Sequence, residues 1–115
     1  MDDTPRILDA LAAVPGVTAT YPAWPETWES LPCIIVSEAA NRADSYRDDE
    51  EYTTELEYYV RVVARTAADR SRIASDADDV MQGLGYRRIN TYDEDGTGIR
   101  QKAILYRQLF PTGGI

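Results

Sequence analysis

Apolar and polar residues alternate along this chain with two different periods, and the changes of period divide it into elements. Between Tyr52 and Ala64 the period is two. Thr54, Leu56, Tyr58, Val60 and Val62 fall on one face and Thr53, Glu55, Glu57, Tyr59 and Arg61 on the other, the pattern of a strand buried on one side. The first face is read as core and the second as a polar surface open to water or to a partner. Ile7, Leu8, Leu11 and Val14 recur instead at helical spacing, with Thr4 as the expected cap, Pro5 as the first helical residue, where a missing N–H costs nothing, and Pro15-Gly16 as the stop. Ile73, Ala77, Val80, Met81 and Leu84 mark a second helix. Thr66, with Asp69 three residues on, resembles a capping box at its start, and Gly85 suits a left-handed end.

Shorter signals fill the intervals. Val17–Tyr21 alternates as a short strand, and Cys33–Ser37 is a compact β-branched run following Pro32, as buried strands are. Tyr86–Tyr92 and Ile99–Phe110 read as two strands joined by the turn Asp93-Glu94-Asp95-Gly96-Thr97-Gly98, with Gly96 expected at positive φ. Pro22, Pro25 and Pro32 hold Trp24 and Trp28 in an irregular surface loop. Residues 38–51 are too polar to build a core and form an exposed loop or an extended hairpin arm, and residues 111–115 make a flexible tail. The order predicts an α+β domain over 1–115, a mostly antiparallel sheet of about five strands with two helices packed on one face.

Composition narrows the chemistry. The 115 residues include no histidine, which removes the usual general base, the usual metal ligand and the Ser-His and Cys-His nucleophile pairs. The single cysteine, Cys33, cannot form an internal disulfide and sits in an apolar run, where a packed thiol is expected rather than a reactive one. Twenty acidic residues against twelve basic ones give a charge of -8, so the molecule repels phosphate backbones and anionic lipid surfaces. No apolar run approaches membrane-spanning length and the N-terminus is acidic, unlike a signal peptide; the expectation is a soluble intracellular product.

Candidate sites are few. Asp93 to Gly96 invites a calcium reading but lacks the ligand spacing and glycine position of an EF-hand, so a solvated turn is expected and no metal. Glu55 and Glu57 share a strand face near Arg61, which points to cross-strand ion pairing rather than to glycosidase acids. Neither glycine-rich stretch opens a helix, so no nucleotide or other cofactor is implied. Arg70, Arg72, Arg87 and Arg88 could form a basic patch, but Asp76, Asp78 and Asp79 stand close enough to neutralise it. Trp24 and Trp28 are read equally as anchors of a protein contact and as a lid over the small core. No catalytic constellation emerges, and the chain is expected not to be an enzyme.

The layout carries a resemblance. A short helix ends in Val14-Pro15-Gly16-Val17, and a proline-rich tryptophan loop leads into Leu31-Pro32-Cys33-Ile34-Ile35-Val36. A charged arm precedes Tyr58-Tyr59-Val60-Arg61-Val62, and after the second helix Asp93-Glu94-Asp95-Gly96-Thr97-Gly98 leads into Lys102-Ala103-Ile104-Leu105-Tyr106-Arg107. The whole resembles the tail-terminator, or tail-completion, proteins of long non-contractile-tailed bacteriophages. The resemblance implies a structural virion protein made in the host cytoplasm and placed at the tail-neck junction. Its subunits would form a hexameric ring that caps the tail-tube protein, meets a neck or head-completion protein, and lets genomic DNA pass without specific binding. The expected contact residues are Trp24, Trp28, Tyr46, Arg47, Asp48, Asp49, Glu50 and Glu51, with Asp93, Glu94 and Asp95 at the rim or lumen. Alternatives are another neck ring, either a head-completion or a connector protein, and a small acidic inhibitor that mimics DNA.

Overall fold

The computed structural model describes residues 2–47 and 50–111, with side chains described outside 43–47 and 50–52. Its elements are α1 (Thr4–Ala12), β1 (Ala19–Tyr21), β2 (Cys33–Arg47), β3 (Glu50–Ala64), α2 (Ala67–Gly83), β4 (Arg87–Asp93) and β5 (Arg100–Pro111). The strands form one five-stranded sheet in the order β1-β2-β3-β5-β4. Only β1 and β2 pair in parallel; the other neighbours are antiparallel. The α+β class and the two helices are as the sequence predicts.

Period-two alternation on β3 sets the register of the whole sheet, because a one-residue slip would turn its apolar set to solvent. Thr54, Leu56, Tyr58, Val60 and Val62 are all buried. They join Ile34 and Val36 of β2 and Ile104 and Tyr106 of β5 beneath Ile7 and Leu11 of α1 and Ile73, Ala77 and Met81 of α2. A second, smaller cluster lies on the reverse face, where Cys33, Ile35 and Val63 are covered by Tyr21, Trp28 and Leu31. No helix among the described residues is long and apolar enough to cross a membrane.

Several boundaries differ from those the pattern predicts. The cap position of α1 is Asp3, not Thr4, and Thr4 is already helical. The Asp3 side chain does not cap, because Arg6 and Tyr86 occupy its oxygens, and Asp2 Oδ1 instead accepts from the Thr4 N–H at 3.0 Å. At α2 the expected cap is present, with the Asp69 N–H donating to Thr66 Oγ1 at 3.2 Å, and Gly85 closes the helix at φ 95°. In the turn after β4 the positive φ belongs to Gly98, at 74°, and not to Gly96, which bridges Ile99. Tyr86 precedes β4 and is buried in the core. Pro111 belongs to β5, and the rest of the expected tail lies outside the described residues.

Candidate assembly surfaces

Of the two readings open for residues 38–51, the structure shows the hairpin arm. β2 continues far beyond its apolar start, pairing with β3 from Cys33↔Val63 out to Arg47↔Glu50. Polar residues hold this extension because a hairpin's ladder needs backbone groups, not apolar side chains. Register shifts between Glu38 and Ala40 and again between Ala43 and Tyr46 mark bulges, which bend and twist the paired strands. β5 leaves β3 at Thr53↔Pro111, and β1 pairs only as far as Ile35. The outer part of the arm therefore stands clear of the rest of the sheet, and the molecule measures 53 × 23 × 23 Å. Tyr46, Arg47, Glu50 and Glu51 lie on its strands; Asp48 and Asp49 lie outside the described residues.

At the base of the arm, on the helix-free face, four charged side chains gather. Arg42 reaches Glu55 Oε1 at 2.9 Å and Glu57 at 3.9 Å, while Arg107 Nε lies 3.2 Å from Glu55. Glu55 is thereby buried, with 5% of its surface exposed, rather than lying on open strand surface as its alternating position predicts. Its partners are Arg42 and Arg107, not Arg61, which donates to Ser37 at 3.1 Å and stacks over Tyr59. Burial works against ionisation of Glu55, but Glu57 and the two guanidinium groups hold its carboxyl below the usual range. Glu57 is pushed up by burial and by sharing a hydrogen bond with Glu55.

The tryptophan loop divides its two rings between two roles. Trp28 packs over Cys33 and Ile35 in the reverse-face cluster, as a lid does. Trp24 is 52% exposed, meets Trp28 edge to face at a 5.8 Å centroid separation, and has the Arg61 guanidinium 5.6 Å from its ring. A rigid, half-exposed indole over a packed neighbour has the shape of a contact anchor.

Two carboxylates of the acidic turn, Asp93 and Asp95, are engaged within their own chain. Asp95 accepts from Arg70 at 2.7 Å, from Arg100 at 3.1 Å and from the Gln101 N–H at 3.2 Å, tying the turn to α2. Partial burial raises its pKa, but those three hydrogen bonds hold the carboxyl below its ordinary value. Asp93 pairs with Lys102 at 2.9 Å. Three of the four arginines are paired, but only Arg88 with one of the aspartates expected, Asp78 at 3.6 Å; Arg70 meets Asp95 and Arg72 meets Asp69 at 3.6 Å instead. Arg87 is different. It is exposed, has no ion-pair partner among the described residues, and stands in register with Arg107 across the β4–β5 ladder.

β4 is also the open edge of the sheet, and all seven of its residues are exposed, Ile89 at 43% and Tyr92 at 42%. Two grooves of about 300 and 400 Å³ flank Arg87. The first is lined by Gly85, Arg87, Arg107, Gln108 and Leu109, the second by Gln82, Gly85, Tyr86, Arg87 and Arg88.

With the sheet, arm and grooves placed, a likeness to a known assembly becomes visible. A chain in the virion of a native gene transfer agent particle has a similar fold. The superposition has a TM-score of 0.57 at 17% sequence identity and covers 94% of this chain and 91% of that one. No protein-family model matches the sequence, and no curated protein does.

Proposed function

We propose that this protein is a structural subunit of a phage-like virion, and that it acts as a ring-forming tail terminator. In this role it caps the tail tube, joins it to the neck, and catalyses no reaction. The observation that carries the reading is the fold likeness to a chain of the gene transfer agent virion, which covers 94% of this chain. The geometry is consistent with subunit assembly: the arm standing clear of the sheet and the open edge at β4 are different surfaces. Two unlike surfaces join head to tail, and head-to-tail contacts close into rings when the rotation permits. The net charge of -8 suits a lumen through which DNA slides without adhering.

Light scattering after size exclusion, with negative-stain imaging of the peak, tests the reading. Closed rings, hexameric in the first instance, are the expected result, and addition of tail-tube protein then gives capped tubes of fixed length. Rings that ignore the tube but bind a neck protein would assign the chain to a head-completion or connector ring instead. A monomer that stays monomeric with both partners and binds a basic DNA-processing protein would replace assembly with the acidic-inhibitor reading.

A further inference from the structure

We infer that Arg61, framed by Trp24 and Tyr59 on the helix-free face of the sheet, receives the α2 carboxylates Asp76 and Asp79 of a second copy of this chain. The inference rests on the ring reading above and names the contact between neighbouring subunits. On the receiving side, the alternation along β3 that sends Val60 and Val62 to the helices sends Tyr59 and Arg61 the other way. Residues paired across neighbouring strands share a face, so Arg61, Ala103 and Tyr92 stand in one row and Tyr59, Leu105 and Asn90 in the next. The Arg61 guanidinium lies 4.7 Å from the Tyr59 ring centroid and 5.6 Å from that of Trp24. Stacking engages the plane of a guanidinium and leaves its edge donors for a carboxylate. Among the described residues only its Nη1 has a hydrogen-bond partner, Ser37 Oγ at 3.1 Å, and Arg61 meets no carboxylate. Arg, Trp and Tyr together are the side chains that dominate the centres of protein contacts.

The face keeps a positive excess. Its carboxylates Glu55 and Glu57 are matched by Arg42 and Arg107, while Arg87, level with Arg107, adds a second cation without an ion-pair partner among the described residues. The donor side lies on the opposite surface of the molecule. Helix α2 buries Ile73, Ala74, Ala77 and Met81 against the sheet and leaves Asp79 exposed, with Asp76 half-buried one turn before it. Neither has an ion-pair partner among the described residues, whereas Asp69 and Asp78 of the same helix pair with Arg72 and Arg88. Three residues apart, they are neighbours on the helix surface and present two negative charges on a rigid support. A subunit cannot bring them to its own Arg61, because the sheet itself stands between α2 and the helix-free face. The helices of a second copy can cover that face, as helices cover both sides of a sheet in layered folds. With 17 residues, α2 is about 25 Å long, enough to cross a molecule 23 Å wide. The two surfaces are unlike in kind and opposite in charge, as a head-to-tail contact between identical subunits needs.

Charge exchange on the full-length chain decides it. Arg61→Glu, the double variant Asp76→Arg/Asp79→Arg and their combination are compared with wild type by light scattering across a concentration series, with thermal melting as the check on folding. Changing either surface alone is expected to raise the concentration for half-assembly by roughly tenfold or more, and the combination to restore it toward the wild-type value. Trp24→Ala, at a half-exposed ring, is expected to weaken assembly with the melting temperature unchanged, and it tests the face where Arg61→Glu does not fold. Rings that form equally well in every variant overturn the contact and leave the ring reading standing. Loss of assembly at both surfaces without rescue in the combination, in chains that melt as wild type does, shows that the two surfaces do not meet. Rings that form normally but no longer cap tubes once Arg61 is reversed assign the face to the tail-tube protein and overturn the contact between copies. A wild type that is monomeric at every concentration removes the ring reading, and this contact with it.

Discussion

The Asp3 carboxylate accepts from Tyr86 Oη at 2.5 Å and from Arg6 Nε and Nη2 at 2.8 and 2.7 Å, while the Asp3 N–H donates to Tyr58 Oη at 2.9 Å. One buried acid thus meets the polar ends of two core tyrosines at the start of α1, and burial of Tyr86, with its hydrogen bond to Asp3, drives the Tyr86 hydroxyl pKa well above the ordinary value. Asp3→Ala should cost about 2 kcal/mol in urea unfolding, because it leaves Tyr86 with a buried hydroxyl and no acceptor. Cys33 is also closed in, its thiol pushed up to about 11 by burial. A thiol reagent at pH 8 should leave it unmodified in the folded protein and label it fully in denaturant. Asp95 supplies a pH dependence. A carboxyl held below its unfolded value of 3.8 stabilises the fold fully above that pH, and this contribution is lost as the pH falls through the lowered folded value. Asp95→Asn should therefore flatten the acid limb of the melting-temperature profile below pH 4 relative to wild type. The Asp3–Arg6 pair has local spacing, but the partnership that buries the acid does not, since Asp3 and Tyr86 are 83 residues apart.

Helix α2 and strand β3 were legible as elements because each carries a full period over many residues, and both lie where that pattern puts them. The arm was half legible. Its polarity shows that it does not join a core, but polarity alone does not distinguish a loop from a paired hairpin, whose ladder is made by the backbone. A consequence can be tested at this scale. The two apolar clusters among the described residues contain nothing between Ser37 and Glu55. Replacing residues 43–52 by a two-residue Asn-Gly turn should leave the cooperative unfolding of the core intact, and should abolish assembly. Leu56→Ala, just inside the core, should instead cost about 3 kcal/mol by urea unfolding through the cavity it leaves.

For the whole molecule, the consequential feature is asymmetry. The β2–β3 arm projects from one end of the sheet, and one lateral edge is the exposed strand β4, whose Arg87 has no ion-pair partner among the described residues. The sheet edge at β4 is otherwise a liability, since a strand of seven exposed residues at a sheet edge offers a template for further strand pairing. A neighbouring subunit that covers it would remove that liability.

By itself the sequence determined the class of fold, the two helices, the core face of β3 and the polar character of the arm, because each follows from the period and chemistry of neighbouring residues. It also limited the chemistry, since a chain without histidine and with one cysteine has few ways to build a familiar catalytic or metal site. Tertiary structure alone decided that Glu55 is enclosed by Arg42 and Arg107, that Trp28 packs while Trp24 is left outside, and that Asp95 turns inward to Arg70. It also left Arg87 as the arginine of its group without a carboxylate partner among the described residues. Those outcomes depend on which strands become neighbours. Strand order and register are set by burying all the apolar faces at once, so no single stretch of sequence encodes them.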